Sequence, residues 1–221
     1  MSYPVRSLGG VLLPTACPVC GATGPAPCGR CAAELRRAPV LPPPPGIDGC
    51  RALLDYDGAG RELVARLKYR NARSSVPFLG RGMASLVAGA PFDVVTWAPT
   101  TPARLRARGF DQAELLARAV ARHLGIPCRR VLRREPGPAQ TGRDAFARLQ
   151  GPGFVARRAL RGATVLLVDD VVTTGGTVAA AARALREAGA GAVHVVAAAR
   201  TAPSRRHVHS TMAEQRSQSW K

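Results

Sequence analysis

Residues 165–177 read Val-Leu-Leu-Val-Asp-Asp-Val-Val-Thr-Thr-Gly-Gly-Thr. The two halves of this run suit different chemistries. The adjacent carboxylates Asp169 and Asp170 can accept hydrogen bonds from a vicinal diol, or hold a divalent cation. The loop Thr173, Thr174, Gly175, Gly176, Thr177 can turn several backbone N–H groups toward one phosphate. Its glycines let the main chain approach closely, and its threonines add hydroxyl donors. A helix starting at this loop adds the positive end of its dipole. A ribose 5-phosphate satisfies both halves at once, with its phosphate on the loop and its hydroxyls on the acids.

A second constellation lies near the N-terminus. Cys17 and Cys20 form one CxxC pair, and Cys28 and Cys31 form another seven residues later. Two such turns can complete a tetrahedron of thiolates around zinc. Four cysteines could also form two disulfides, which belong to oxidising compartments, whereas no secretory leader is expected here. A redox CxxC is a further use, but it would not need two copies in fifteen residues. Four protein thiolates leave no open coordination position, so the zinc is expected to be structural. Cys50 and Cys128 have no partner motif and read as core or half-exposed thiols.

Formal net charge is +18, and all but two of the 32 basic residues are arginine; the exceptions are Lys68 and Lys221. This balance fits a polyanionic partner. It equally fits an arginine-rich, GC-biased coding sequence. Arg104, Arg106 and Arg108 precede Gly109 in a stretch that reads as a basic loop. The four histidines show no ligand or triad spacing. No run of about 18 apolar residues is present, so no membrane span is expected, and the chain is expected to be cytoplasmic.

These residues need elements to hold them. Pro42–Pro45 mark a stiff spacer or rigid surface loop, with a boundary near residue 45. Beyond it, Gly60–Asn71 and Gly80–Gly89 read as helices and Phe92–Pro99 as a buried strand. Residues 112–125 read as a helix capped by Asp111 and stopped by Gly125. Residues 129–134, 164–170 and 192–200 read as strands, and 176–190 as a helix closed by Gly189. Strands alternating with helices, some continuously apolar, predict an α/β fold with a mainly parallel sheet. The expected organisation is a cysteine module and spacer over 1–45, a main domain over 46–202, and a disordered tail over 203–221.

The 165–177 run resembles the phosphoribosyl pyrophosphate fingerprint of type I phosphoribosyltransferases. From Cys17 to about Arg200 the chain resembles the ComF/GntX group of competence-associated, phosphoribosyltransferase-like proteins. The cysteine knuckle, "YDGAGRELVARLKYRN", "RARGFDQAELLA" and "QTGRDAFAR" carry that likeness. Family members usually have Asn where this chain has Asp111. The resemblance implies a type I fold with helices flanking the sheet, plus the small zinc knuckle. It implies phosphoribosyl pyrophosphate and Mg²⁺ as ligands and transfer of the phosphoribosyl group to an acceptor that the sequence does not name. Asp169 and Asp170 become the catalytic acids, and Thr173–Thr177 the phosphate loop. Arg108 and Gly109 would face the pyrophosphate, and Lys68 would touch phosphate or cover the edge of the site. Residues 134–153, including Gln140, Arg143 and Arg148, would form a flap over it. The family's link to competence adds an alternative: a non-catalytic accessory protein that binds single-stranded DNA and works with proteins of the uptake machinery.

Overall fold

The computed structural model describes residues 15–69, 73–135 and 152–202. Helix α1 spans Gly29–Ala33 and strand β1 spans Gly49–Asp55. Helices α2 (Gly58–Tyr69) and α3 (Val76–Ser85) lead to β2 (Val94–Trp97). Helices α4 (Pro102–Arg108) and α5 (Gln112–Leu124) follow. A hairpin of β3 (Leu132–Arg134) and β4 (Phe154–Ala156) precedes β5 (Thr164–Val172). Helix α6 (Gly176–Glu187) and strand β6 (Ala192–Arg200) complete the order.

The main sheet runs β1-β6-β5-β2, and every pairing in it is parallel. Its central strands are the continuously apolar ones. Val165 through Val168 are fully buried, as a strand covered on both faces must be. One face carries α2, α3 and α5 through Leu63, Leu79, Met83, Leu116 and Val120. The other carries α6 and the hairpin through Val178, Ala181, Leu185, Leu132 and Phe154. Helix α5, which follows β2, thus lies on the face opposite α6, which follows β5. The crevice at the carboxyl ends of those two neighbouring strands is a topological switch point, where open α/β sheets bind ligands.

Local signals set most boundaries. Asp111 caps α5 by accepting the Ala113 N–H at 3.1 Å, and Gly125 ends it in the left-handed conformation. Gly189 turns left-handed just past the end of α6. Two expectations are corrected, and one strand has no sequence signal. Residues 102–108, read as a basic loop, form helix α4, started by Pro102 and capped by Thr101, whose hydroxyl accepts the Arg104 N–H at 3.2 Å. The strand read over 129–134 does not join the main sheet. Its outer part pairs antiparallel with β4 as a separate hairpin, while Cys128 lies beside Val95. Strand β1, with Arg51 at its centre, had no clean alternation to reveal it.

The cysteine module packs on the main body. Val19 and Leu35 lie against the core, and β1 gains antiparallel bonds from Arg36 and Ala38. The expected flap residues Gln140, Arg143 and Arg148 and the expected tail at 203–221 lie outside the described residues.

Candidate functional site

Asp169 and Asp170 sit near the carboxyl end of β5, where the strand leaves the core. Alternation sends their side chains to different surroundings. Asp169 is buried, and one of its oxygens accepts the Asp170 N–H at 2.8 Å. Asp170 is half-buried and meets Lys68 Nζ at 3.1 Å. Burial and then the Asp170 charge push the Asp169 carboxyl up to about 8, against the pull of its bond to Asp170 N–H and of Lys68. Lys68 comes from the last turn of α2, so the first helix after β1 reaches across to the acids.

The loop after β5 turns into α6 through Gly175, at φ +81° and serving as N-cap. A glycine N-cap has no side chain to satisfy the first helical N–H groups, so these donors face the cleft unclaimed by a cap. The loop's own bond is weak: the Gly176 N–H reaches Thr174 Oγ1 at 3.5 Å. Asp169, Thr173, Thr174, Gly175, Gly176 and Thr177 line one concavity. A tetrahedral anion there would meet main-chain donors and the helix dipole, with a carboxyl at the far side.

Across the crevice, α4 and α5 supply the second wall. Arg108 ends α4, and its Nη1 donates to Gln112 Oε1 at 3.0 Å. Gln112, fully buried at the start of α5, in turn donates to the Lys68 carbonyl at 3.5 Å. Gln112 thus joins Arg108 to the backbone of Lys68, whose side chain meets Asp170. Gly109 takes the left-handed conformation and gives its N–H to the Leu105 carbonyl at 2.8 Å. It contributes a sharp turn, and its amide is already used. Asp111 is buried, with Oδ2 accepting the Thr100 N–H at 2.9 Å while Oδ1 caps α5. Its extra charge relative to Asn meets backbone donors, although burial still raises its carboxyl.

Two contributors escaped the sequence reading. Gln112 carries no sequence signal of its own, and only tertiary packing brings it to the Lys68 carbonyl. Arg134 looked like the edge of a polar loop. In the fold it leaves the hairpin to donate to the Pro99 carbonyl at 3.4 Å, with its guanidinium 5.4 Å from the centre of the Phe154 ring. Burial and the nearby Arg104 lower its affinity for its proton, and the Asp169 charge raises it.

The cysteines converge as their spacing predicts. The sulfurs of Cys17, Cys20, Cys28 and Cys31 all lie within 4.8 Å of one another, and those of Cys20 and Cys28 are 3.7 Å apart. Tetrahedral zinc with sulfur at about 2.3 Å separates its ligands by about 3.8 Å, so the set fits that ion. All four are free thiols. Burial and the neighbouring thiols push Cys31 up to about 12. Burial also raises Cys17, but the N–H groups of Cys28, Cys20 and Val19 outweigh it and hold that thiol at about 6. A cation would allow all four to ionise together.

Residues 111–220 match the family described as phosphoribosyl transferase domain. The chain is 32% identical over 199 residues to the DNA utilization protein YhgH of Salmonella typhi, covering 84% of each chain. It is 37% identical over 122 residues to an adenine phosphoribosyltransferase of Clavibacter sepedonicus, covering 50% of this chain and 56% of that one. Among solved structures it is similar to the glutamine phosphoribosylpyrophosphate amidotransferase of B. subtilis. That similarity is 29% identity and a TM-score of 0.42, over 57% of this chain and 26% of that one. Among the described residues no helix is long and apolar enough to cross a membrane.

Proposed function

The chain belongs to the ComF/GntX family and carries a phosphoribosyltransferase domain, and from that premise we propose that it binds phosphoribosyl pyrophosphate with Mg²⁺ and transfers the phosphoribosyl group to an acceptor in DNA uptake or use. One observation carries this reading: the uncapped amino end of α6 and Asp169 line one concavity at the switch point, with Asp170 next along β5 and paired with Lys68. The 5-phosphate belongs on Thr173–Thr177, and the ribose hydroxyls on the acids. Arg108 belongs at the pyrophosphate, with Lys68 and Gln112 behind it; Gln140 is assigned to that end on the family pattern alone.

The reaction is substitution at C1 of the ribose. The bond from C1 to the pyrophosphate oxygen breaks, the acceptor's lone pair forms the new bond, and positive charge builds on the sugar between these events. An ionised carboxylate beneath the ring stabilises that charge, and fixed donors stabilise the departing anion. The carboxylates are the hard oxygen donors that the crevice offers to Mg²⁺, which supplies positive charge to the leaving group when bound with the ligand. The acceptor would enter from the side of the hairpin and Arg134.

Calorimetric titration with phosphoribosyl pyrophosphate and Mg²⁺ tests the binding, and pyrophosphate release with a panel of bases tests the transfer. Replacing Asp169 and Asp170 by Asn together should cost at least about 10²-fold in turnover. A parent protein that does not bind the ligand would refute the reading.

A second reading rests on a different surface. Arg129, Arg130, Arg133, Arg157 and Arg158 are all exposed around the β3–β4 hairpin. Such a cluster suits the backbone of single-stranded DNA, and the relatives' role in DNA utilization favours that polymer. With aromatics at 5% of the chain, stacking contributes little. Binding should weaken with salt at a slope of about −0.7 per phosphate contacted, and replacing Arg130 and Arg133 by Ala should flatten it. Salt-independent binding would exclude this role. The two readings are compatible in one cytoplasmic protein that works with the uptake machinery. On either reading the zinc-bound module through residue 45 is assigned a structural role, and residues 46–202 are assigned as the phosphoribosyltransferase-like domain.

A further inference from the structure

The tetraproline segment is pinned along its length. Arg200, the last residue of β6, donates to the Leu41 carbonyl at 3.3 Å and to the Pro42 carbonyl at 2.9 Å. Further along, Asp48 donates its N–H to the Val193 carbonyl at 2.9 Å and accepts the Val193 N–H at 2.7 Å. Arg186 of α6 also bonds to Asp48. Between these fixings the buried Pro44 lies on the phosphate loop. A β-carbon added to Gly175 would stand 2.6 Å from Pro44 Cγ and 2.9 Å from Pro44 Cβ, and among the described residues beyond its chain neighbours it would meet nothing else within 4 Å. Thr173 and Thr174 are exposed, yet Gly175 is buried. The pyrrolidine ring is what covers it.

We propose that Pro44 is a positioning residue for the phosphate loop: its ring, held down through Arg200, keeps Gly175 in the left-handed turn that presents the α6 amides to the 5-phosphate. The inference rests on the proposed ligand of that loop. Three features of the fold lead to it. The loop holds itself by one weak bond, between Gly176 N–H and Thr174 Oγ1, and α6 has no side-chain cap. Without an outside support, the glycine pair would sample many conformations, and binding would have to order them at an entropic cost. A proline supplies that support well, because its ring is rigid and it has no N–H to compete for the phosphate.

Arg200 belongs to the same device. It is buried, its Nη1 and Nη2 donate to main-chain carbonyls, and its Nε has no hydrogen-bond partner among the described residues. A buried guanidinium held by two carbonyls is a costly way to close a surface, and here it secures the proline segment. Arg200 stands beside Val172, the residue before the loop, and the Thr201 N–H bonds to the Val172 carbonyl at 3.1 Å. Clamp and loop are thus set on neighbouring strands, in register with each other.

The test uses the full chain and calorimetric titration with ribose 5-phosphate and, separately, with Mg²⁺-pyrophosphate, which lacks the 5-phosphate. Pro44→Gly should weaken ribose 5-phosphate about 10-fold and leave pyrophosphate unchanged. Pro44→Val, which keeps an apolar cover, should restore most of the loss. Arg200→Met, which releases the clamp without touching the loop, should fall between. Melting curves identify any variant that has lost its fold, and hydrogen exchange at the 175–177 amides should rise in Pro44→Gly and Arg200→Met while the core amides stay protected. Equal ribose 5-phosphate affinity in all folded variants overturns the positioning role and leaves the ligand assignment standing. A parent that binds no ribose 5-phosphate overturns both. Parallel losses for both ligands overturn the local role in favour of general destabilisation.

Discussion

Asp169 is held at the end of a buried strand beside a second carboxyl, and this sets how the site should answer to pH. The folded chain keeps its proton up to about 8, whereas the ordinary carboxyl loses it near 3.8. Between those values the folded state binds more protons than the unfolded one, so this group's contribution is full below about 4 and falls as pH rises to 8. Asp169→Asn cannot ionise and should escape that loss. Its melting temperature should exceed the parent's by several degrees at pH 8, with the gap closing toward pH 4; a gap independent of pH would contradict the assignment. The same variant should lose most turnover, because the carboxylate acts only when ionised. Lys68 favours the ionised form of Asp169. In Lys68→Met the alkaline rise in kcat should therefore move to higher pH, as a pH–rate profile would read directly.

At the scale of elements, the crossing of α3 and α5 positions Arg108, Gln112 and Asp111 indirectly. Gly80 makes the crossing possible: a β-carbon there would come within 2.4 Å of Ala119 Cβ. Gly80→Ala should cost about 1–3 kcal/mol through overpacking, equivalent to roughly 2–4 °C in melting temperature per kcal/mol for a chain of this size. Ala119→Gly added to it should recover part of that loss, after a helix-propensity cost of about 1 kcal/mol. Thermal melts of the four proteins give the coupling, and strict additivity would mean that the helices do not meet there. The amphipathic spacing of α5 and its Asp111 and Gly125 boundaries were legible in sequence. Helix α4 was not, because its arginines masked a Thr-Pro start that only a check of capping residues would have found.

For the whole molecule, the fold sets the cysteine cluster apart from the proposed ligand crevice. Arg36 and Ala38 are bonded to β1 between the cysteines and the proline segment. Cys20→Ser should release the metal, followed by a chromogenic chelator, and lower the melting temperature. Ribose 5-phosphate affinity should stay within about twofold, as expected for distant, separately anchored sites. A large affinity loss would show that the pins at Arg36 and Ala38 do not isolate the knuckle.

Local sequence determined the pieces that short-range chemistry specifies. An apolar run long enough for a two-sided strand, a Thr/Gly loop that can take a left-handed turn, and paired CxxC turns each carry their meaning within about fifteen residues. Tertiary structure decided what depends on distant partners. It paired Lys68 with Asp170 across about a hundred residues and set Gln112 behind Arg108. It brought Arg134 to the crevice and laid Pro44 on Gly175. Nothing in the flanking residues encodes those contacts. They arise because helices on opposite faces of a parallel sheet leave one crevice at the switch point, and the surrounding segments must close on it.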